Sequence, residues 1–250
     1  MNPKICIPII ANTFDELVDV IEKTIVMRPD LIEWRADYLL SDSNDGSLLD
    51  KCLQLLSDQM NGLKIPLIFT LRSAKEGGKV KYGELERIKL IKQAVLSGQV
   101  QLVDLEMDLA NQSDEDFDHH ERLDLFNEII DLAHTANIEV ILSHHDFFQT
   151  PSTPELIMTI KRAQKHHADY CKLAYIPKDG EDVIRLLEAC QYGRGVLNQR
   201  MIVVSMGKIG RVSRITAHEY GSEFTYAKGL SESAPGQLTV AELLDAWAKL

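Results

Sequence analysis

The chain has no stretch of apolar residues long enough to cross a bilayer. Its longest apolar run near the start, 5–11, is broken by Pro8 and is too short for the core of a signal peptide. Cysteine is sparse. Cys6, Cys52, Cys171 and Cys190 lie far apart with no C-x-x-C pair, which removes a thiolate metal framework and suits free thiols in a reducing cytosol. Positive charge is also in deficit: 27 Lys and Arg against 38 Asp and Glu give a net charge of −11. A chain so charged has no general attraction for nucleic acid or for an anionic membrane surface, so any anion site must gather its cations locally. Low-complexity segments, composition shifts and repeats longer than one strand–helix unit are absent too. These absences leave a cytoplasmic, single-domain globular protein as the expectation, and the 45% hydrophobic and 26% charged residues are ordinary for that class.

Strand and helix signals alternate along the 250 residues. Strands are expected at 5–11, 31–37, 66–71, 101–107, 138–143, 169–177, 201–205 and, more weakly, 224–227. Helices are expected at 13–27, 47–60, 84–96, 123–135, 152–166, 179–192, 211–218 and 239–249. Thr13 with Glu16, and Ser152 with Glu155, read as helix starts. An acidic loop is expected over 111–118. Eight strand–helix units with short connections predict a (β/α)8 TIM barrel spanning 1–250, with an open doubly wound sheet as the alternative.

The sixth strand carries a lysine at its centre. Period-two alternation puts Tyr170, Lys172 and Ala174 on one face and Cys171, Leu173 and Tyr175 on the other. In a parallel sheet both faces are buried, so Lys172 points into protein unless it lies at a strand end and snorkels to solvent. A desolvated amine in an apolar pocket is a nucleophile for ketones and aldehydes. Barrel sites collect at the carboxyl ends of the strands, where branched apolar residues would otherwise be expected. Here those ends read Glu33-Trp34-Arg35-Ala36-Asp37, Thr70-Leu71-Arg72, Asp104-Leu105-Glu106, Ser143-His144-His145-Asp146 and Lys172, then Gly207, Gly210, Arg211 and Arg214, then 233–237. Glu33 and Arg35 share parity, which also permits a simple pair between them. The doublets at 119–120, 144–145 and 166–167 suggest metal, but adjacent side chains diverge on strands and helices alike, so no metal site is expected. Gly207-x-x-Gly210 lacks a fuller phosphate-binding glycine pattern. A lysine with a neighbouring imidazole and several arginines points to imine chemistry on a small anionic keto compound. An aldolase acting on a sugar phosphate, and a binding barrel without catalysis, remain as alternatives.

At these positions the sequence resembles the type I 3-dehydroquinate dehydratases, the Schiff-base dehydratases of the shikimate pathway. The resemblance rests on 33–37, on Phe69-Thr70-Leu71-Arg72-Ser73-Ala74-Lys75-Glu76-Gly77-Gly78, on 143–147 with Thr150-Pro151, on Lys172-Leu173-Ala174, on 205–207 with Ser213-Arg214, and on Ser233-Ala234-Pro235-Gly236-Gln237. It implies a (β/α)8 barrel converting 3-dehydroquinate to 3-dehydroshikimate and water, without metal or cofactor, as a homodimer. It further implies Lys172 as the imine-forming residue, His145 as proton donor and acceptor, and Glu76 as the group orienting His145. Substrate binding falls to Glu33, Arg35, Arg72, Arg214, Ser233 and Gln237, the last two on a closing loop, with Asp104 and Glu106 behind them. Two departures stand out: Pro8 occupies a position where many members have a substrate-contacting serine, and the amino terminus is too short for the hairpin that covers the barrel base in other members. The chain carries no dinucleotide-binding segment and is expected to be monofunctional.

Overall fold

Strands buried on both faces and helices buried along one stripe decide the architecture. The computed structural model describes residues 3–110 and 119–249; the acidic loop expected at 111–118 lies outside them. The strands are β1 (Lys4–Ile9), β2 (Leu31–Arg35), β3 (Leu67–Thr70), β4 (Leu102–Glu106), β5 (Glu139–Asp146), β6 (Tyr170–Tyr175), β7 (Arg200–Ser205), β8 (Phe224–Lys228) and the two-residue β9 (Leu238–Thr239). Between them run α1 (Phe14–Val26), the single turn α2 (Ala36–Leu39), α3 (Gly46–Met60), α4 (Glu84–Leu96), α5 (His119–Thr135), α6 (Thr153–Lys165), α7 (Gly180–Gly195), α8 (Gly207–Thr216) and α9 (Val240–Trp247). Helix α1 buries Leu17, Ile21 and Thr24, one stripe at helical spacing. Its cap Thr13 accepts from the Glu16 amide, but the Glu16 carboxylate reaches one residue past the expected box, to the amide of Asn12. Before α6, Glu155 accepts from the amide and hydroxyl of Ser152, as expected.

All neighbouring strands pair in parallel, in the order β7-β6-β5-β4-β3-β2-β1-β8-β9. The two flanks meet through a bridge from Met201 to Ser222, where the Glu223 amide donates to the Met201 carbonyl at 2.8 Å. Inward residues of all eight expected strands join one apolar cluster: Cys6, Leu31, Ile68, Leu102, Ile141, Tyr170, Ile202 and Phe224 among them. Their neighbours of opposite parity, such as Ile32, Trp34, Phe69, Val103, Cys171 and Leu173, pack outward against the helices. The sheet is therefore a barrel rather than an open doubly wound sheet.

Three boundaries differ from expectation in ways that matter for the site. β5 runs on to Asp146, because Ser143 through Asp146 continue to pair with Lys172 through Tyr175. β2 stops at Arg35 and α2 turns the chain, so Asp37 leaves the strand. α8 starts at Gly207, whose positive φ of 72° hid the first turn, and a 3-10 turn at Ala217–Tyr220 follows it. At the amino-terminal mouth the barrel is closed by side chains. The Arg200 guanidinium lies 3.9 Å from the centre of the Tyr170 ring and pairs with Glu139, which accepts from the Tyr170 hydroxyl at 3.1 Å.

Candidate active site

Above the apolar layer, the inward positions of the same strands turn polar. Lys172 shares the inward face of β6 with Tyr170 and Ala174 and is 4% exposed. Its Nζ lies 2.9 Å from Asp104 Oδ2 and 3.2 Å from Glu33 Oε1, over the Tyr226 ring at 4.5 Å from the centroid. The expectation of an apolar pocket is thus corrected: the amine is buried but salt-bridged, because a charge removed from water requires partners. Glu33 also accepts from Thr70 Oγ1 at 3.0 Å.

Arg72 is the hub of the carboxylates. Its guanidinium reaches Asp104 at 2.9 Å, Glu106 at 3.1 Å and Glu76 at 3.5 Å, and bonds Ser143 Oγ at 2.9 Å. Burial works against charge on Asp104, but Arg72, then Lys172 and the Ser143 hydroxyl, overcome it and hold the carboxyl at about 2. Burial opposes the Arg72 cation as well, and the surrounding carboxylates, Asp104 foremost, still raise it above its ordinary value.

His145 and His144 diverge, as strand parity requires. His145 lines the cavity; its Nδ1 lies 2.6 Å from Glu76 Oε2, the same oxygen that accepts from the His145 amide at 3.1 Å. With Nδ1–H donating to Glu76, Nε2 is left open towards the cavity. His144 turns away, its Nδ1 3.0 Å from the Tyr175 hydroxyl. Burial, with Arg72 and Lys172 nearby, pushes the His145 imidazole well below its usual range. Burial and then Glu106 push the Glu76 carboxyl well above its own. Glu76 sits on a one-turn 3-10 helix, Ala74–Glu76, capped by Ser73 and closed by Gly77 at φ 84°. The Gly78 amide returns to the Ser73 carbonyl at 2.7 Å, and a Cβ at Gly78 would lie 2.0 Å from the Arg72 carbonyl oxygen.

The remaining expected residues line the same cavity, except that they are held differently from one another. Arg35 is gripped by Asp37 through two bonds of 2.7 and 2.9 Å. Arg214 is 2% exposed and donates to the carbonyls of Tyr226 at 3.2 Å and Pro235 at 3.1 Å; among the described residues no carboxylate pairs with it. Burial lowers it to about 10. Gln237 braces its own loop, its Oε1 accepting from the Ser233 amide at 2.8 Å and its Nε2 donating to Ser233 Oγ at 2.9 Å. Asp104 and Glu106, expected behind the site, are its charge frame: Asp104 touches Lys172 itself. Pro8 is buried opposite Glu33 in the β1–β2 register. Tyr226, Phe147 and Met206 also line the cavity and were not foreseen; the inward parity of Tyr226 on the weak eighth strand was the available signal. Among the described residues no group of three His, Cys, Asp or Glu side chains is arranged to hold a metal ion.

A buried amine, a neutral imidazole with one open nitrogen and a buried arginine that pairs with no carboxylate among the described residues suit an anionic carbonyl compound. The comparisons with known proteins agree with that chemistry. The family model for type I 3-dehydroquinase matches residues 5–249. The 3-dehydroquinate dehydratase of Alkaliphilus oremlandii is 33% identical over 242 residues, covering 96% of this chain and 89% of that protein. The crystal structure of 3-dehydroquinate dehydratase from Geobacillus kaustophilus superposes with a TM-score of 0.89 at 28% identity, covering 100% of this chain and 91% of that one. That of the type I enzyme from Clostridium difficile, with covalently modified comenic acid, does so with a TM-score of 0.88 at 30% identity, covering 99% and 92%. With nearly its whole length matched, the chain belongs to the type I 3-dehydroquinase family.

Proposed function

We propose that this chain dehydrates 3-dehydroquinate to 3-dehydroshikimate through an imine on Lys172. The observation that carries the reading is the shared cavity of Lys172, His145 and Arg214, which among the described residues has no carboxylate in an ion pair with it. Arg214 pairs with the substrate carboxylate and sets the ketone before Lys172. For attack the ammonium must lose a proton. Asp104 is committed to Arg72, Ser143 and the amine itself and stays ionised, whereas neutral His145 accepts at Nε2. His145 then protonates the carbinolamine hydroxyl, which departs as water and leaves the iminium facing Glu33 and Asp104. The iminium withdraws electrons from C2, so His145 removes the C2 proton, and the resulting enamine expels the C1 hydroxyl as His145 returns the proton. Hydrolysis of the imine reverses the first steps. Glu76 holds Nδ1 and thereby the tautomer.

Glu33 and Arg35 contact ring hydroxyls in this reading. Arg72, already committed to Asp104, Glu106 and Glu76, contributes charge at the cavity wall. Ser233 and Gln237 lie on the loop that closes over the substrate and excludes water. The test is borohydride reduction in the presence of 3-dehydroquinate. A reduced adduct on the peptide containing Lys172, with loss of enone formation in Lys172→Ala and His145→Ala, is expected; an adduct elsewhere sinks the reading.

A cytoplasmic setting is in keeping with four buried, unpaired cysteines, and no helix of the described residues is long and apolar enough to cross a membrane. The homodimer also belongs to this proposal. An apolar groove between α7 and α8 exposes Ile184, Ile209 and Val212 and is suited to a second copy. Ile209→Glu with Val212→Glu should give monomers in sedimentation velocity; an unchanged dimer places the contact elsewhere.

A further inference from the structure

The cations that serve the active-site carboxylates do not all come from the cavity. Arg87 belongs to α4, in the outer helical layer, yet it is 2% exposed. Its Nη1 donates to the Leu71 carbonyl at 2.7 Å, and its Nη2 lies 3.1 Å from Glu106 Oε2. Glu84 on the same helix completes its surroundings, with Nε donating at 2.9 Å. The other oxygen of Glu106 accepts from the Ser73 amide at 2.8 Å and from Arg72 at 3.1 Å. Ser73 starts the turn that carries Glu76, and Glu76 holds His145. A fully buried cation thus connects, through one carboxylate, to both the charge and the backbone behind the imidazole. It does not line the substrate cavity.

The division of charge gives this connection a purpose. Arg72 faces three carboxylates: Asp104, Glu106 and Glu76. Lys172 shares Asp104, and Arg87 shares Glu106. Lys172 also meets Glu33 and Arg87 also meets Glu84, and beside these pairs stands Glu76 with His145, a pair carrying one mobile proton between them. We propose that Arg87 is a positioning residue for this dehydration, which offsets the charge of Glu106 so that the His145–Glu76 pair stays singly protonated at working pH. The inference rests on the roles proposed above for His145 and Glu76.

The sign follows from electrostatics. The pair is faced by Arg35 from β2, Arg72 from β3, Asp104 and Glu106 from β4, Asp108 just beyond β4, His144 on β5 and Lys172 on β6. Around Arg87 itself lie Lys75, Asp108 and Arg122 across a small cavity. Removing the Arg87 charge makes these surroundings more negative, so the pair takes up its second, inactivating proton more readily. Removing the Glu106 charge does the reverse.

The test is the pH dependence of kcat/KM, which reports the free enzyme. In Arg87→Met the acid limb should move up by about one pH unit, with KM at neutral pH within about twofold of the parent. Arg87→Lys, which keeps the charge, should restore most of the limb. Glu106→Gln should move the limb down, and Arg87→Met with Glu106→Gln should bring it back to the parent position. That double variant removes the buried Glu106 charge together with its cation, leaves only the partly exposed Glu84 without Arg87, and serves even where Arg87→Met alone does not fold. A limb unmoved in Arg87→Met, or a double variant indistinguishable from Glu106→Gln, overturns the inference and leaves Arg87 as a staple between α4 and β3. Full activity in His145→Ala would instead overturn the reading of the pair, and the inference with it.

Discussion

Lys172 was legible in the sequence as a residue pointing into protein on a buried strand, and His145 was singled out within its doublet by the family resemblance. Their partners were not. Glu33 is 139 residues and Asp104 is 68 residues from the lysine in sequence, and only closure of the barrel brings them together. An acidic strand end announces a charge without saying which cation it meets, so Asp104 read as a supporting residue when it is a direct contact of the amine. Its removal is therefore informative. Asp104→Asn takes one carboxylate from Lys172 and one from Arg72, and should lower kcat by roughly a hundredfold. The pH dependence of stability separates its contribution from others. Asp104 is held at about 2 in the folded protein, below its unfolded value of about 4, so its stabilisation is complete above that value and is lost as pH falls through the folded one. His145 is lowered too, so from about pH 6.5 downward the unfolded chain takes up a proton that the folded one refuses, and the contribution of His145 declines from there. Glu76 is raised, and its contribution is present in acid and lost as pH rises through its folded value. Below about pH 6.5 the His145 and Glu76 contributions oppose one another, so urea midpoints should fall chiefly below about pH 4, and Asp104→Asn should flatten the part between about pH 4 and pH 2 while costing on the order of 2 kcal/mol at neutral pH. A parent midpoint that stays level into acid contradicts this account.

At the scale of elements, periodicity and caps read correctly where the local sequence alone sets the structure. The expected helix at 84–96 is α4, Glu84–Leu96, and the Ser152–Glu155 helix start is observed. Misreadings fall where tertiary pairing or glycine decides. β5 gains its last three residues only because β6 lies alongside, and α8 begins on a glycine that gives no helix signal. The loop after β3 is the most consequential case. Its glycines allow the chain to fold back so that Glu76 points at His145. Gly78 approaches the Arg72 and Ser73 carbonyls so closely that a Cβ would lie 2.0 and 2.8 Å from their oxygens. Both contacts are backbone, which cannot give way as a side chain can. Gly78→Ala should therefore open the bond from its amide to Ser73 and displace Glu76. The expected result is a kcat lower by about ten- to a hundredfold with an unaltered far-ultraviolet circular dichroism spectrum. Unchanged kinetics would mean that the turn does not hold Glu76 in place.

For the whole molecule, the alternation of eight strand–helix units made the barrel legible, and the clustering of charge at the carboxyl ends showed which mouth is functional. How the opposite mouth is sealed was not legible, because Glu139, Tyr170 and Arg200 come from three strands and none of them is distinctive alone. In the barrel they act as one cover. Arg200 lies over the Tyr170 ring, pairs with Glu139, and has Glu223 at 3.7 Å. The layer between this cover and the active site is apolar, formed by residues such as Leu31, Ile68, Leu102 and Phe224. Among the described residues this layer carries no charge and no hydrogen-bonded chain through which the two mouths could influence one another. The cover therefore serves stability and the opposite mouth serves chemistry. Because the Arg200 side chain is 35% exposed, solvent screens its ion pairs, and the stacked contact with Tyr170 carries most of its contribution. Arg200→Met should cost about 1–2 kcal/mol, a fall in Tm of roughly 2–8 °C for a chain of this size. Its kcat and KM for 3-dehydroquinate should remain within about twofold of the parent. A variant with parental Tm would show the cover to be ornamental, and one with reduced kcat would show that the apolar layer transmits what it is argued to insulate.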